Sequence, residues 1–159
     1  MIYPMLYLGL GSNAGDREDN LRHSILLIEE RVGSVAVCSD VIETEPWGYR
    51  SNNPYLNQVI GVESKKSPEE ILLITQDIER RLGRTQKSIS GVYNDRTVDI
   101  DLLIWDDRVV NQPHLQIPHP LMHLRSFVLE PLSSIAPDLV HPLLKKSMTD
   151  LYLSQQNDK

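Results

Sequence analysis

The sequence of 159 residues predicts an α+β fold with a ferredoxin-like βαββαβ core, an antiparallel sheet with helices, and a C-terminal extension. Two observations predict this class. Apolar segments typical of strands are separated by two segments in which apolar residues recur at helical spacing. Their order along the chain is strand, helix, strand, strand, helix, strand, which is the ferredoxin-like signature. In that topology the first strand lies between the third and the fourth.

The first half of the core is predicted from apolar spacing and turn residues. Residues 5–10, "MLYLGL", predict a strand that ends in the turn sequence "GSNAGD". A helix follows and ends at Gly33. Residues 34–44, "SVAVCSDVIET", and residues 55–64, "YLNQVIGVES", predict the second and third strands. The apolar face of the helix comprises Leu21, Ile25, Ile28 and Val32.

The second helix carries a complete set of start signals. Ser67 is the expected N-cap, Pro68 occupies the first helical position, and Glu70 completes a capping box. Gly83 is expected to end the helix. Its inner face comprises Ile71, Ile74, Ile78 and Leu82.

The last core strand lies within residues 95–107, "DRTVDIDLLIWDD". Strict alternation places one apolar set on one face, namely Val98, Ile100, Leu102 and Ile104. The other face comprises Asp99, Asp101, Leu103 and Trp105. Both faces are apolar beyond Asp101, so this strand is expected to enter a covered part of the sheet.

The C-terminal extension is less regular. A turn at Asp106 and Asp107 predicts an edge strand over residues 108–111, "RVVN". A helix is expected over residues 125–132 and a short terminal helix over residues 148–155.

The composition is that of a globular protein, with 40% hydrophobic and 24% charged residues, and predicts one domain spanning residues 1–159. A net charge of −6 argues against a nucleic-acid partner. The apolar start "MIYPMLYLGL" is too short to cross a membrane. A single cysteine, Cys38, excludes an internal disulfide and favours the cytoplasm, and its position in a strand predicts that it is buried. We expect a monomer.

The acid pair is the unusual feature of the last strand. Asp99 and Asp101 share a face and lie roughly 6.5 Å apart along the strand. Two carboxylates at that distance repel by about 2.5 kcal/mol at an effective dielectric constant of about 20. Water, a flanking arginine such as Arg96, or a divalent cation could each stabilise the pair. A hydrated strand end and a Mg²⁺ site therefore both remain open from this segment alone.

Three polar stretches are expected to converge at one edge of the sheet. They are "GSN" after the first strand, "YLN" at the start of the third and "VDID" at the start of the fourth. Two long loops, 44–54 and 84–96, enter the same two strands and are expected to overhang this edge. Residues 80–96 are basic in an otherwise acidic chain. From this segment alone a solvated charged face is favoured, and a site for a small polyanion such as a nucleotide is the alternative. Aromatic residues in and beside these loops suggest a planar ring held by stacking.

Several motifs together carry a resemblance to a known family. They are "LGSN", "TEPWG" followed by "YLN", "IERRLGR", "DRTVDIDLL" and "IPHPLMHLRSFVLEPLSSIAP", in this order over nearly the whole chain. The sequence resembles the 6-hydroxymethyl-7,8-dihydropterin pyrophosphokinases of folate biosynthesis. The resemblance implies transfer of a pyrophosphoryl group from the co-substrate ATP to the pterin hydroxymethyl group, with release of AMP. It also implies that two Mg²⁺ ions are required. A non-catalytic ferredoxin-like ligand-binding protein and another Mg²⁺-dependent nucleotidyl transferase are the alternatives.

The resemblance also implies roles for individual residues. The metal ligands would be Asp99 and Asp101. The catalytic, phosphate-binding arginines would be Arg84 and Arg96. The pterin would be bound by Thr44, Trp47, Tyr55, Asn57 and Phe127. The nucleotide would be bound by Gln76, Glu79, Arg84, Arg96, His119 and Arg125.

Overall fold

The computed structural model describes residues 4–45, 53–83 and 97–157, which form seven strands and four helices. The strands are β1 (Met5–Ser12), β2 (Ser34–Cys38), β3 (Ile42–Thr44), β4 (Tyr55–Glu63), β5 (Asp99–Trp105), β6 (Val110–Gln112) and β7 (Leu115–Ile117). The helices are α1 (Arg17–Arg31), α2 (Pro68–Leu82), α3 (Ser126–Ile135) and α4 (Met148–Asn157). A turn of 3₁₀ helix, Met122–Leu124, precedes α3.

The main sheet has the order β2-β4-β1-β5, with β3 also paired to β4. All of its pairs are antiparallel. Strand β1 therefore lies between the strands predicted to flank it, and the ferredoxin-like α+β fold is confirmed. No helix within the described ranges is both long and apolar enough to span a membrane.

Helices cover both faces of the sheet, so the structure has two cores. Helices α1 and α2 pack on one face around Leu8 and Ile60, which are both fully buried. Helices α3 and α4 pack on the other face around Leu129 and Met148, which are also fully buried. The side chains of β1 alternate between these two cores, because neighbouring residues of a strand point to opposite faces.

The predicted second strand is broken at Ser39. Strands β2 and β3 lie one after the other along the same edge of β4, with residues 39–41 between them. At the break the Ser39 hydroxyl accepts a hydrogen bond from the Val59 N–H at 2.9 Å and donates to the Asp40 carbonyl at 2.9 Å. A buried hydroxyl thus satisfies a backbone group that a continuous strand would have paired. The prediction that Cys38 is buried is wrong, because this end of β2 exposes it.

Strand β5 contains a β-bulge that the alternation pattern does not predict. Its pairing with β1 passes from Leu102 to Ile104, so Leu103 is an extra residue. The bulge reverses the direction of the side chains that follow. Ile104 lies in the core beneath α3 and α4, whereas Trp105 lies with Val98 in the core beneath α1 and α2. The predicted faces of Ile104 and Trp105 are therefore wrong.

The segment after β5 does not extend the main sheet. A turn at Asp106, which has a positive φ of 46°, leads to β6, and β6 pairs with β7 in a separate hairpin. The prediction of an edge strand here is therefore wrong, because this strand pairs with β7 and does not join the main sheet. Gln112 in this hairpin donates to the Glu69 carboxylate on α2 at 2.6 Å, which holds the hairpin against α2. The two helices predicted in the extension are present as α3 and α4.

The ends of the core helices follow the sequence signals. Asp16 caps α1 by accepting from the Asp19 N–H, and Ser67 and Glu70 form the predicted capping box of α2. Gly33 follows the last turn of α1, where a Cβ atom would overlap the carbonyl oxygen of Glu63 on β4. Glycine is therefore required here by the close approach of two backbone segments.

We predict that Gly33→Ala lowers the free energy of unfolding by about 1–3 kcal/mol, because the added methyl group forces α1 and β4 apart. Gly83→Ala is the matched control after α2. Its Cβ atom would lie 3.1 Å from the Glu79 carbonyl oxygen, which is tight but does not overlap it. Urea denaturation of the two variants measures the difference, and an equal loss in both would contradict the close-approach explanation.

Candidate active site

The floor of the candidate site is made by glycines of β1. Gly11 pairs with Asn57 of β4 on one side and with Asp99 of β5 on the other. Gly9 pairs in the same way with Asp101 on the β5 side. A side chain at Gly11 would press on the Asn57 amide at 3.2 Å and on the Tyr55 ring at 3.4 Å. Glycine thus lets the Asn57 amide and the Tyr55 ring approach the β1 backbone closely.

The acid pair lies on the face of the sheet that α3 and α4 cover. Asp99 and Asp101 precede Leu103, which is fully buried in the core on that face. Both aspartates are partly exposed at the open end of this face. The Asp101 carboxylate lies 3.7 Å from the Arg125 guanidinium, so a cation from the C-terminal extension neutralises part of the repulsion. Arg96, the flanking residue considered above, lies outside the described residues.

Arg125 is well placed to act as a fixed cation. It occupies the position before the first residue of α3, and its side chain is only 16% exposed. Its guanidinium carbon lies 5.6 Å from the centre of the Phe127 ring. The ring and the Asp101 carboxylate together restrict the guanidinium, which points a positive charge at the acid pair.

A second polar group lies on the β4 side of the glycine floor. The Asn57 side-chain amide donates to the Thr44 hydroxyl at 2.6 Å, and Thr44 pairs with Tyr55 across the β3–β4 ladder. Asn57 is only 6% exposed. A buried amide held by one hydrogen bond presents its remaining donor and acceptor in a fixed orientation, which suits recognition of a heterocycle edge.

The outer edge of β5 is approached by α2. The Glu79 carboxylate accepts a hydrogen bond from the Ile100 N–H at 2.8 Å, between the two aspartates in sequence. Gln76 lies about one turn earlier on α2 and is exposed. Both side chains thus come from the helix that borders the acid-bearing strand.

His119 is anchored to the bulge of β5. Its backbone N–H donates to the Leu103 carbonyl at 2.7 Å, and its Nδ1 accepts from the Leu121 N–H at 3.1 Å. Burial, together with the nearby Arg125 guanidinium, lowers the pKa of His119 from 6.5 to about 4. The imidazole is therefore neutral at neutral pH.

The structure thus brings together most of the residues that the sequence analysis selected. Asp99, Asp101 and Asn57 flank the glycine floor, with Thr44 and Tyr55 beside Asn57. The selected residues Trp47, Arg84 and Arg96 lie outside the described part of the chain. Within residues 4–45, 53–83 and 97–157, no three His, Cys, Asp or Glu side chains converge to hold a metal ion. Two carboxylates are a donor set that Mg²⁺ commonly completes with substrate phosphates and water.

Comparison with known proteins identifies the class. A family model described as 7,8-dihydro-6-hydroxymethylpterin-pyrophosphokinase (HPPK) matches residues 7–137. The 2-amino-4-hydroxy-6-hydroxymethyldihydropteridine pyrophosphokinase of Porphyromonas gingivalis is 50% identical over 139 residues, covering 87% of this chain and 94% of that protein. The enzyme of the same name from Aquifex aeolicus is 34% identical over 145 residues, covering 91% of this chain and 88% of that protein.

Solved structures agree on the fold. A crystal structure of an HPPK-DHPS in complex with substrates matches with a TM-score of 0.78 and 15% identity, covering 98% of this chain and 44% of that one. Wild-type HPPK-DHPS of Plasmodium falciparum matches with a TM-score of 0.76 and 16% identity, covering 97% of this chain and 42% of that one. The chain therefore spans less than half the length of these solved proteins, and at this identity the likeness concerns the fold alone.

The fold, the acid pair and these relatives define an enzyme that transfers phosphoryl-type groups from ATP, a pyrophosphokinase of folate biosynthesis. The chain belongs to the 7,8-dihydro-6-hydroxymethylpterin-pyrophosphokinase family.

The lowered pKa of His119 predicts a pH dependence of stability. Between pH 6.5 and about 4 the unfolded chain binds a proton at this histidine and the folded chain does not. The contribution of neutral His119 is therefore complete above pH 6.5 and is lost as the pH falls towards about 4. His119→Asn keeps an acceptor near the Nδ1 position but cannot be protonated. We expect its free energy of unfolding to fall less than that of the wild type between pH 7 and pH 4.5.

Urea denaturation at several pH values measures this difference. Above pH 7 both proteins are neutral at position 119, so the difference between them should be constant there, which is the internal control. His141, whose pKa is also lowered by burial and by His123, is present in both proteins and cancels from the comparison. Parallel curves from pH 7 to pH 4.5 would contradict the lowered pKa of His119.

Proposed function

We propose that the chain transfers the pyrophosphoryl group of ATP to the hydroxymethyl oxygen of 6-hydroxymethyl-7,8-dihydropterin. A bond forms between the β-phosphorus and that oxygen, the bond from the β-phosphorus to the α,β-bridging oxygen breaks, and the hydroxyl loses its proton. The bridging oxygen leaves with AMP. The observation that supports the proposal is the pairing of Gly11 with both Asn57 and Asp99, which puts a buried amide and an acid pair on the two sides of one strand.

The pterin is proposed to lie on the Asn57 side of the glycine floor. The amide of Asn57, oriented by the Thr44 hydroxyl, matches the adjacent donor and acceptor groups of a pterin edge. Tyr55 borders the floor at Gly11, and Phe127 lies on the covering helix α3, so both can contact the ring faces. Trp47 is kept as a pterin contact on the strength of the sequence motif alone.

Two Mg²⁺ ions are proposed to bind at Asp99 and Asp101. The donor set fits, because both side chains offer only oxygen and Mg²⁺ is usually held by one or two carboxylates together with substrate phosphates. When bound, Mg²⁺ neutralises charge on the phosphate oxygens and favours displacement at phosphorus. Asp99 and Asp101 would hold the ions beside the glycine floor, and Arg125 limits the repulsion between the acids before the substrate arrives.

The nucleotide is proposed to lie along the outer edge of β5. Glu79 borders this edge, Gln76 lies about one turn earlier on the same helix, and His119 and Arg125 come from the C-terminal extension. The neutral imidazole of His119 can donate or accept a hydrogen bond without adding charge. Arg84 and Arg96 are proposed to stabilise the charge that develops on the transferred group, as arginines do in phosphoryl transfer. Their assignment rests on the sequence motifs.

We further propose that residues 1–159 act as one domain, as a monomer and in the cytoplasm. The two cores share one sheet, which supports a single folding unit. A single cysteine in the sequence supports a reducing compartment. Sedimentation equilibrium of the purified protein tests the monomer.

Incubation of the protein with ATP, Mg²⁺ and 6-hydroxymethyl-7,8-dihydropterin tests the reaction. We expect AMP and the pterin pyrophosphate to appear in equal amounts. ADP as the product, or no nucleotide product, would refute the proposal. Saturable pterin binding without any turnover would instead favour the non-catalytic ligand-binding alternative.

Substitution of the acid pair is the sharper form of this test. Asp99→Asn and Asp101→Asn should each lower kcat by about 100-fold or more, because each removes a charged oxygen ligand of the proposed Mg²⁺ site. Asp99→Asn should keep or raise stability, because one member of a repelling pair becomes neutral. Asp101→Asn also removes the carboxylate that faces the partly buried Arg125 guanidinium, so it should be less stable than Asp99→Asn. Asp107→Asn, at an exposed position just after the same strand, is the matched control. Turnover in either site variant close to that of Asp107→Asn would exclude the metal assignment.

Asn57→Ala should raise the Kd of the pterin by about 10- to 100-fold, because a buried hydrogen-bond partner of the ring is lost. The variant also leaves the Thr44 hydroxyl without its amide donor. Asn111→Ala, an exposed asparagine on β6, is the control and should bind the pterin normally. Isothermal titration of the pterin into both variants measures the change. An unaltered Kd for Asn57→Ala would place the pterin elsewhere.

A further inference from the structure

Arg17 makes two contacts that the proposed reaction does not explain. Its Nη1 donates to the Pro54 carbonyl at 2.9 Å and lies 2.8 Å from the Glu43 carboxylate. The Arg17 side chain is 28% exposed and the Glu43 side chain 54% exposed. One nitrogen of the first residue of α1 therefore binds both the middle residue of β3 and the residue just before β4.

The position of Arg17 is unfavourable for the helix itself. Asp16 already caps α1, and the next two residues after Arg17 are acidic, as the partial positive charge of a helix N-terminus favours. A cation at the first helical position works against this preference. Its contacts with Glu43 and Pro54 therefore give it a role outside the helix.

The two partners of Arg17 adjoin the proposed pterin contacts. Glu43 precedes Thr44, and Pro54 precedes Tyr55, which pairs with Thr44 across the ladder. Thr44 in turn accepts the hydrogen bond that orients Asn57. A shift of β3 relative to β4 would move the Thr44 hydroxyl and release the amide.

We propose that Arg17 is a positioning residue for the heterocycle side of the active site, an inference that rests on the proposed function. Arg17 ties α1 to β3 and to the start of β4, and so fixes the distance between the Thr44 hydroxyl and the Asn57 amide. It does not touch the substrate.

The geometry restricts this role to one substrate. Arg17, Glu43 and Pro54 lie on the β4 side of β1, whereas Asp99 and Asp101 lie on its β5 side. The glycines of β1 separate the two sides. Loss of Arg17 should therefore weaken pterin binding and leave nucleotide binding unchanged, a separation that general loosening of the fold would not produce.

The test uses the full chain with Mg²⁺ and an ATP analogue in which a methylene group replaces the α,β-bridging oxygen. Titrations measure the Kd of the analogue and then the Kd of 6-hydroxymethyl-7,8-dihydropterin in its presence. For Arg17→Gln we expect the pterin Kd to rise on the order of tenfold, the effect of one lost charge-assisted hydrogen bond. The analogue Kd should stay within about twofold of the wild-type value.

Two further variants make the result specific. Arg17→Lys supplies a charged donor nitrogen that is one bond closer to Cα than the arginine Nη1. It should give a pterin Kd between those of the wild type and Arg17→Gln. Arg22→Ala is the matched control, because Arg22 lies on the same helix with its side chain 65% exposed and pairs with Asp19 three residues earlier. It should bind both ligands as the wild type does.

The outcomes separate this inference from the proposed function. Wild-type protein that fails to bind the pterin would overturn both. Wild-type protein that binds it, with Arg17→Gln indistinguishable from Arg22→Ala, would overturn the role of Arg17 alone. Equal weakening of both ligands in Arg17→Gln, with no recovery in Arg17→Lys, would show a structural effect and would also overturn it.

Discussion

The two antiparallel ladders of β1 are the constraint on which the rest of the structure depends. Each residue of β1 has a fixed partner on β4, and most also have one on β5. A residue of β1 therefore fixes the distance between side chains on strands that are far apart in the sequence. Gly11 does so for Asn57 and Asp99, and it contributes no side chain of its own. The separation of the amide from the acids is thus set by the backbone hydrogen bonding of two ladders.

Much of this arrangement follows from the sequence. Period-two and helical apolar patterns predict the core elements and their order, and the ferredoxin-like topology then predicts which strand ends meet. The features that were missed depend on local backbone changes with no periodic signal. A serine hydroxyl replaces a ladder bond at Ser39, and the extra residue Leu103 reverses the faces beyond it. Both are tertiary adjustments within segments that are predicted as strands from their strand propensity.

The candidate site was predictable in its acids and amide but not in its supporting charges. Asp99 and Asp101 are conspicuous because acids are rare at the start of a buried strand. The cation that the structure places beside Asp101 is Arg125, which is 24 positions away in sequence and reaches it from the start of α3. Arg17 was not among the predicted site residues, because an arginine at the start of a helix is usually a surface residue. Its only signal is a positive charge where a helix favours a negative one.

The outer edge of β5 has a consequence for how the molecules behave at high concentration. Within the described residues β5 is the last strand on its side of the sheet, and such edges can recruit a strand from another molecule. Here the Ile100 N–H is bound by Glu79, and the Leu103 carbonyl is bound by the His119 N–H. Two backbone groups that an added strand would require are therefore already engaged within the same chain. The contacts that border the proposed nucleotide side of the site thus also protect the sheet from edge-to-edge aggregation.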